Sequence, residues 1–167
     1  IIEMTMVEII INAAALGIGA TLFMDLVAAI KTRAFKIPSL DYRLVGRWLG
    51  HMLQGQFRHT SIAAAAPMRN ERLAGWVFHY LTGIIFAAAL VAVAGSAWLQ
   101  HPSLLPALIT GVISVTAPWL IMQPAWGMGI AAANTPKPWV ARQRSLVTHL
   151  TFGLGLYITG LALVKYL

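Results

Sequence analysis

Cysteine is absent from the 167-residue chain. Disulfides and thiolate metal sites are therefore excluded, and any metal would have to be held by His, Asp, Glu or neutral oxygens. Charge is scarce too. Charged residues make up 10% of the chain and hydrophobic residues 59%, with a mean hydropathy of +0.74. Soluble domains carry about 25% charged residues. The few charges are clustered, so long stretches have none and could not cover a surface facing water. Acids are the rarest class, with five Asp and Glu against twelve Lys and Arg and a net charge of +7. Such an excess can mark a nucleic-acid partner. Here the bases flank apolar runs, where the inward preference of cationic loops accounts for them, and no nucleic acid is expected. The first apolar run lacks a basic flank and a cleavage site and carries Glu3 and Glu8, so no cleavable signal peptide is expected. No internal repeat is found.

What is present is span-length hydrophobicity. Four segments, at about 7–30, 73–98, 104–122 and 146–164, reach the roughly 20 apolar residues that cross a bilayer as a helix. The reading is an all-α integral membrane protein, one domain over 1–167, with four transmembrane helices in an antiparallel bundle. Between the first two spans lie Lys31, Arg33, Lys36, Arg43, Arg47, Arg58, Arg69 and Arg72, opposed only by Asp41 and Glu71; the next basic loop holds Lys137, Arg142 and Arg144. The connection after Trp98 has no Lys or Arg. Both basic loops are thus expected in the cytoplasm and both termini outside.

The first cytoplasmic loop, 31–72, is long for a connection. Within it, Tyr42 to Leu53 places apolar residues at 44, 45, 48, 49, 52 and 53, with Arg43, Arg47 and His51 elsewhere. That period predicts a short amphipathic helix, Asp41 its N-cap, on the inner leaflet or under the bundle. Asn70 is expected to cap the second span. Pro118 and Pro124 predict a kink in the third span, followed by a bent continuation or a short separate helix.

Ionisable residues inside spans are costly and mark function by default. Asp25 lies six residues before Lys31, His79 seven after Arg72 and His149 five after Arg144. At 1.5 Å per residue, all three sit about 7–11 Å inward from the cytoplasmic flank. Gln123 lies near the same end. Each follows a stripe of small residues: Ala14, Gly17, Thr21 and Ala28 beside Asp25; Thr82 and Gly83 beside His79; Ser145, Gly153 and Gly160 beside His149. Such faces let helices approach closely in lipid. Convergence of the three would suit a divalent metal with Gln123, water or a loop residue completing the shell, a proton relay, or a structural hydrogen-bonded pair. No HExxH or paired HxxxH supports the metal. His59, in the polar stretch 55–61, can join the site or serve the loop fold. Arg43, Arg47 and Arg58 can hold a phosphate or carboxylate head group, or act as topology determinants on anionic lipid.

The string Gly19–Asp25, Pro38-Ser39, Arg43–His51, Arg58-His59, Ala63–Pro67, Gly75-Trp76, His79-Tyr80, Gln123-Pro124, Asn134–Pro136 and His149 resembles a bacterial membrane family catalogued as domain of unknown function 2938. The resemblance covers nearly the whole chain and implies a small four-helix inner-membrane protein. It carries no activity.

Three functions remain open. One is a transporter or channel component in which Asp25, His79 and His149, with Gln123 and His59, bind or move a cation or proton; four spans are few for a pore, so it predicts a homo-oligomer. The second is a metal-dependent membrane enzyme acting on a lipid or other amphiphile. The third is a structural or assembly partner in the lipid bilayer with no chemistry of its own.

Overall fold

A computed structural model describes residues 2–167, and every described element is helical. Four helices are long and apolar enough to cross a membrane: Met6–Phe35, Glu71–Ala94, Leu104–Ala125 and Pro138–Tyr166. The first, α1 (Met6–Phe35), starts in a capping box in which Thr5 accepts from the Glu8 amide and the Glu8 carboxylate accepts from the Thr5 amide. That arrangement satisfies amide donors that a helix leaves unpaired. It stops at Lys36, which adopts a left-handed φ of 56°. At thirty residues it is about 45 Å long. α2 (Tyr42–Leu53) follows, capped by Asp41 as expected. α3 (Glu71–Ala94) begins after Asn70, whose carbonyl accepts from the Ala74 amide and whose φ is 58°. It ends four residues before the expected 98 because Gly95 takes a φ of 87°, which lets the chain turn into the short α4 (Ala97–Gln100).

The third span is helical but broken. α5 (Leu104–Ser114) gives way to a π-helical turn over Pro118–Met122 and the short α6 (Gln123–Ala125). Two prolines six residues apart remove two ladder donors, and the wider turn re-pairs the backbone through Gln123 N to Pro118 O. Beyond α6, Gly127 and Gly129 have φ of 86° and 77°, and Ala131 and Ala132 have 48° and 58°. Left-handed alanines are uncommon; this pair is held where Arg142 Nε donates to the Ala131 carbonyl at 2.8 Å. The last span, α7 (Pro138–Leu163), starts eight residues before the expected 146 and takes Arg142 and Arg144 into its first turns.

The chain forms two compact units. Unit 1 comprises residues 1–38, 80–114 and 148–167; unit 2 comprises 39–79 and 115–147. In unit 1 the helices pack through small residues, as the stripes predict. Gly17 of α1 lies against the backbone of Gly83 and Ile84 in α3, and Gly153 of α7 lies against Ala107 and Gly111 of α5. Leu16, Ala20, Ala87, Leu99, Ala107 and Leu156 are fully buried or nearly so. Thr21, also fully buried, returns its hydroxyl proton to the Gly17 carbonyl at 2.7 Å, so its polarity is absorbed within α1.

In unit 2, α2 crosses the start of α3 at a pair of glycines. A Cβ on Gly46 would collide with the Glu71 carbonyl, and one on Gly75 with the Tyr42 carbonyl. The apolar face packs as its period predicts, with Leu44, Leu49 and Met52 against the buried Val45 and Trp48, but the crossing also buries part of the polar face. Val45, Gly46, Arg47, Trp48 and His51 are buried, whereas Leu53 is 91% exposed. Two of the residues assigned to its polar face thus point inward. The partners that make this tolerable are the subject of the site.

Candidate functional site

Two polar assemblies occur, one in each unit. In unit 1, Asp25 is half-buried on α1 and its Oδ2 accepts from the Tyr80 hydroxyl of α3 at 2.7 Å. His149, half-buried on α7, shares a 2.7 Å hydrogen bond between Nδ1 and Ser114 Oγ of α5. Ser114 also lies 2.7 Å from the Gly111 carbonyl. A hydroxyl has one proton and a carbonyl only accepts. Both bonds are satisfied if Ser114 donates to Gly111 and the His149 Nδ1–H donates to Ser114. Each titratable side chain is therefore oriented by a hydroxyl from another spanning helix.

The approach of α5 to α7 that makes the second pair is set by glycine. Gly111 sits against the His149 carbonyl and Gly153, and a Cβ there would be 2.5 Å from that carbonyl. The hydroxyl partners Tyr80 and Ser114 were not expected from the sequence. The only available signal was that Tyr80 follows His79.

In unit 2, His79 is half-buried in a three-ring cluster. Its centroid lies 4.1 Å from Tyr42 and 5.6 Å from Trp76, and Tyr42 lies 4.6 Å from Trp76. Arg47, expected to hold an anion, grips an internal one. Its Nη2 and Nε donate to the two Glu71 oxygens at 2.9 Å, and Nη1 donates to the carbonyls of Ala63 and Ala65. Glu71 also accepts from the Met68 amide. This fork ties α2, the 62–66 segment and the start of α3 together, and each of the three guanidinium nitrogens donates a hydrogen bond. Arg43 forms an exposed fork with Asp41; the hydrogen bonds from Arg43 hold the Asp41 carboxyl below its ordinary range. Arg58 is exposed.

The same unit buries a second imidazole pair. His51 Nε2 lies 2.9 Å from the Ala66 carbonyl, and the ring centroids of His51 and His59 are 5.0 Å apart. His59 is fixed from α6, since its amide donates to the Ala125 carbonyl at 2.8 Å. Gly127 makes room, its α-carbon lying against the Thr60 and His59 carbonyls. Gln123 is buried, its amide nitrogen 3.4 Å from Ser145 Oγ. Burial, then the neighbouring His51, pushes the His59 imidazole below its ordinary value. His51 was read from sequence only as part of a polar helix face.

Asp25 and His149 thus belong to unit 1, and His79, Gln123 and His59 to unit 2. Among the described residues no group of three or more His, Asp or Glu is placed to hold a metal ion. The metal role expected for Asp25, His79 and His149 therefore finds no three-ligand group in the structure.

The fold and these spans define an all-α integral membrane protein of four spanning helices. Residues 14–163 match the family model described as "Protein of unknown function (DUF2938)", and the chain belongs to that family. No curated protein and no solved structure matches it.

Proposed function

We propose that the protein moves protons, or a small cation in exchange for them, across the bacterial inner membrane. The observation that supports this reading is the pairing of both unit 1 titratable groups with hydroxyls. Asp25 with Tyr80 and His149 with Ser114 each combine a group that changes charge with an O–H, at 2.7 Å, on apolar spanning helices. A structural hydrogen bond between helices needs no ionisable partner, and ionisable groups in spans are rare because they are costly. An O–H beside such a group can relay its proton.

In this proposal the basic loops face the cytoplasm and both termini face outward, in keeping with the positive-inside rule. Arg58 and Arg43 meet anionic head groups at the inner leaflet. Four spans suffice for a relay within one chain; a continuous pore would need a homo-oligomer.

Reconstituted vesicles holding a pH-sensitive dye, driven by a potassium diffusion potential, test the reading. Wild-type protein is expected to acidify or alkalinise the lumen with the sign of the potential. Asp25→Asn is expected to lower the rate at least tenfold, His149→Gln to lower it less. Equal rates for empty vesicles and wild type, or for wild type and Asp25→Asn, would end the proposal.

A further inference from the structure

We infer that His51 and His59 form a two-imidazole metal site in unit 2 for a borderline divalent ion of the zinc class. The inference is separate from the proton relay and shares none of its residues.

Three observations carry it. The first is tautomeric. His51 Nε2 lies 2.9 Å from the Ala66 carbonyl, which can only accept, so Nε2 carries the proton and Nδ1 carries the lone pair. Metal-ligating histidines are set up in this way, the second nitrogen donating to a backbone carbonyl or carboxylate. The second is that His51 Nδ1 and His59 Nε2 are both buried and have no hydrogen-bond partner, although the two residues are only 7% and 8% exposed. Buried ring nitrogens in proteins are nearly always paired, and an orphan needs a cause. Two in contacting side chains share one.

The third is geometric. The rings are 5.0 Å apart at 70°. With metal–nitrogen bonds near 2.0–2.1 Å, two imidazoles at a tetrahedral angle on one ion have centroids about 5 Å apart. The spacing therefore fits an ion between the rings.

The surroundings are compatible. Ligation takes the neutral imidazole through a bare ring nitrogen, and each ring has one buried nitrogen without a partner. Arg47, one turn before His51 on α2, has its charge met by Glu71 at 2.9 Å, so no uncompensated cation opposes a divalent ion. Nitrogen-only ligation by two imidazoles, with the remaining positions taken by water or a carbonyl oxygen, suits zinc and its neighbours and does not suit calcium or magnesium.

The test uses tag-free full-length protein in detergent, titrated with zinc against a chromophoric chelator and with cobalt read by visible absorption. One ion per chain is expected. His51→Gln and His59→Gln are each expected to weaken binding at least tenfold, whereas His101→Gln in the outer loop should leave it unchanged. Zinc should also raise the melting temperature of wild type and of neither unit 2 variant. No binding by wild type, or binding equally strong in both variants, overturns the inference. If the variants do not fold, X-ray absorption of zinc-loaded wild type decides: two imidazoles in the shell support the site, and fewer than two overturn it.

Discussion

At the scale of single residues, hydroxyl groups decide what the ionisable side chains can do. Tyr80 gives Asp25 a hydrogen bond at 2.7 Å, and such bonds contribute about 0.5–1.5 kcal/mol. Tyr80→Phe is expected to lower stability by that amount in detergent unfolding, and to slow proton flux without abolishing it. An unchanged melting temperature would show that the bond carries no weight. The acid and the imidazoles were visible in the sequence because a charge in an apolar run stands out. Tyr80 and Ser114 were not, because their importance depends on which helices are neighbours. The same holds for the buried ion pair. Arg47 reads as a loop cation, yet its side chain and that of Glu71 are only 10% and 13% exposed. Glu71→Ala should cost about 3–5 kcal/mol, since a buried guanidinium is left without its partner. Replacing both by apolar residues should cost less than removing one, as a double-mutant cycle in thermal unfolding would show.

At the scale of elements, the long helices and α2 were legible with little error. α2 spans Tyr42–Leu53 with Asp41 at its cap, as its period and capping residue predict. The burial of Gly46, Arg47 and His51 beside that apolar face was not legible. Hydrophobic period assumes that apolar side chains seek the interior, but close approach at Gly46 and Gly75 sets which face meets α3, and a satisfied ion pair makes Arg47 tolerable there. Gly46→Ala or Gly75→Ala should therefore destabilise by about 1–3 kcal/mol through overpacking, readable as a lowered melting temperature. The break in the third span was legible from its prolines. The left-handed pair Ala131-Ala132 was not, because alanine advertises helix; it depends on Arg142 reaching back from α7.

At the scale of the whole molecule, pH and topology are the measurable properties. His59 ordinarily titrates near 6.5, and in the folded chain it titrates lower. Below that ordinary value the unfolded chain takes up a proton that the folded chain does not. Stability should therefore fall with pH in the window just below 6.5, by at most about 1.4 kcal/mol per pH unit for one proton. His59→Gln should flatten this slope. A slope unchanged in the variant would assign it to other groups. Because the chain has no cysteine, single cysteines report sidedness cleanly. Ser39→Cys should react with an impermeant maleimide only in inverted vesicles, and Ser103→Cys only in right-side-out ones. The opposite pattern would reverse the orientation.

Eight bases lie between residues 31 and 72, opposed by Asp41 and Glu71. Folding pairs Arg43 with Asp41 and encloses Arg47 with Glu71, leaving six bases outside these two pairs. A nascent chain entering the bilayer has made neither pair, so it meets the insertion machinery with the Arg43 and Arg47 charges, and both acids, still separately hydrated. Neutralising Arg47 should therefore harm biogenesis and folded stability by different routes, and the defect in orientation should already appear at synthesis, before unit 2 has formed.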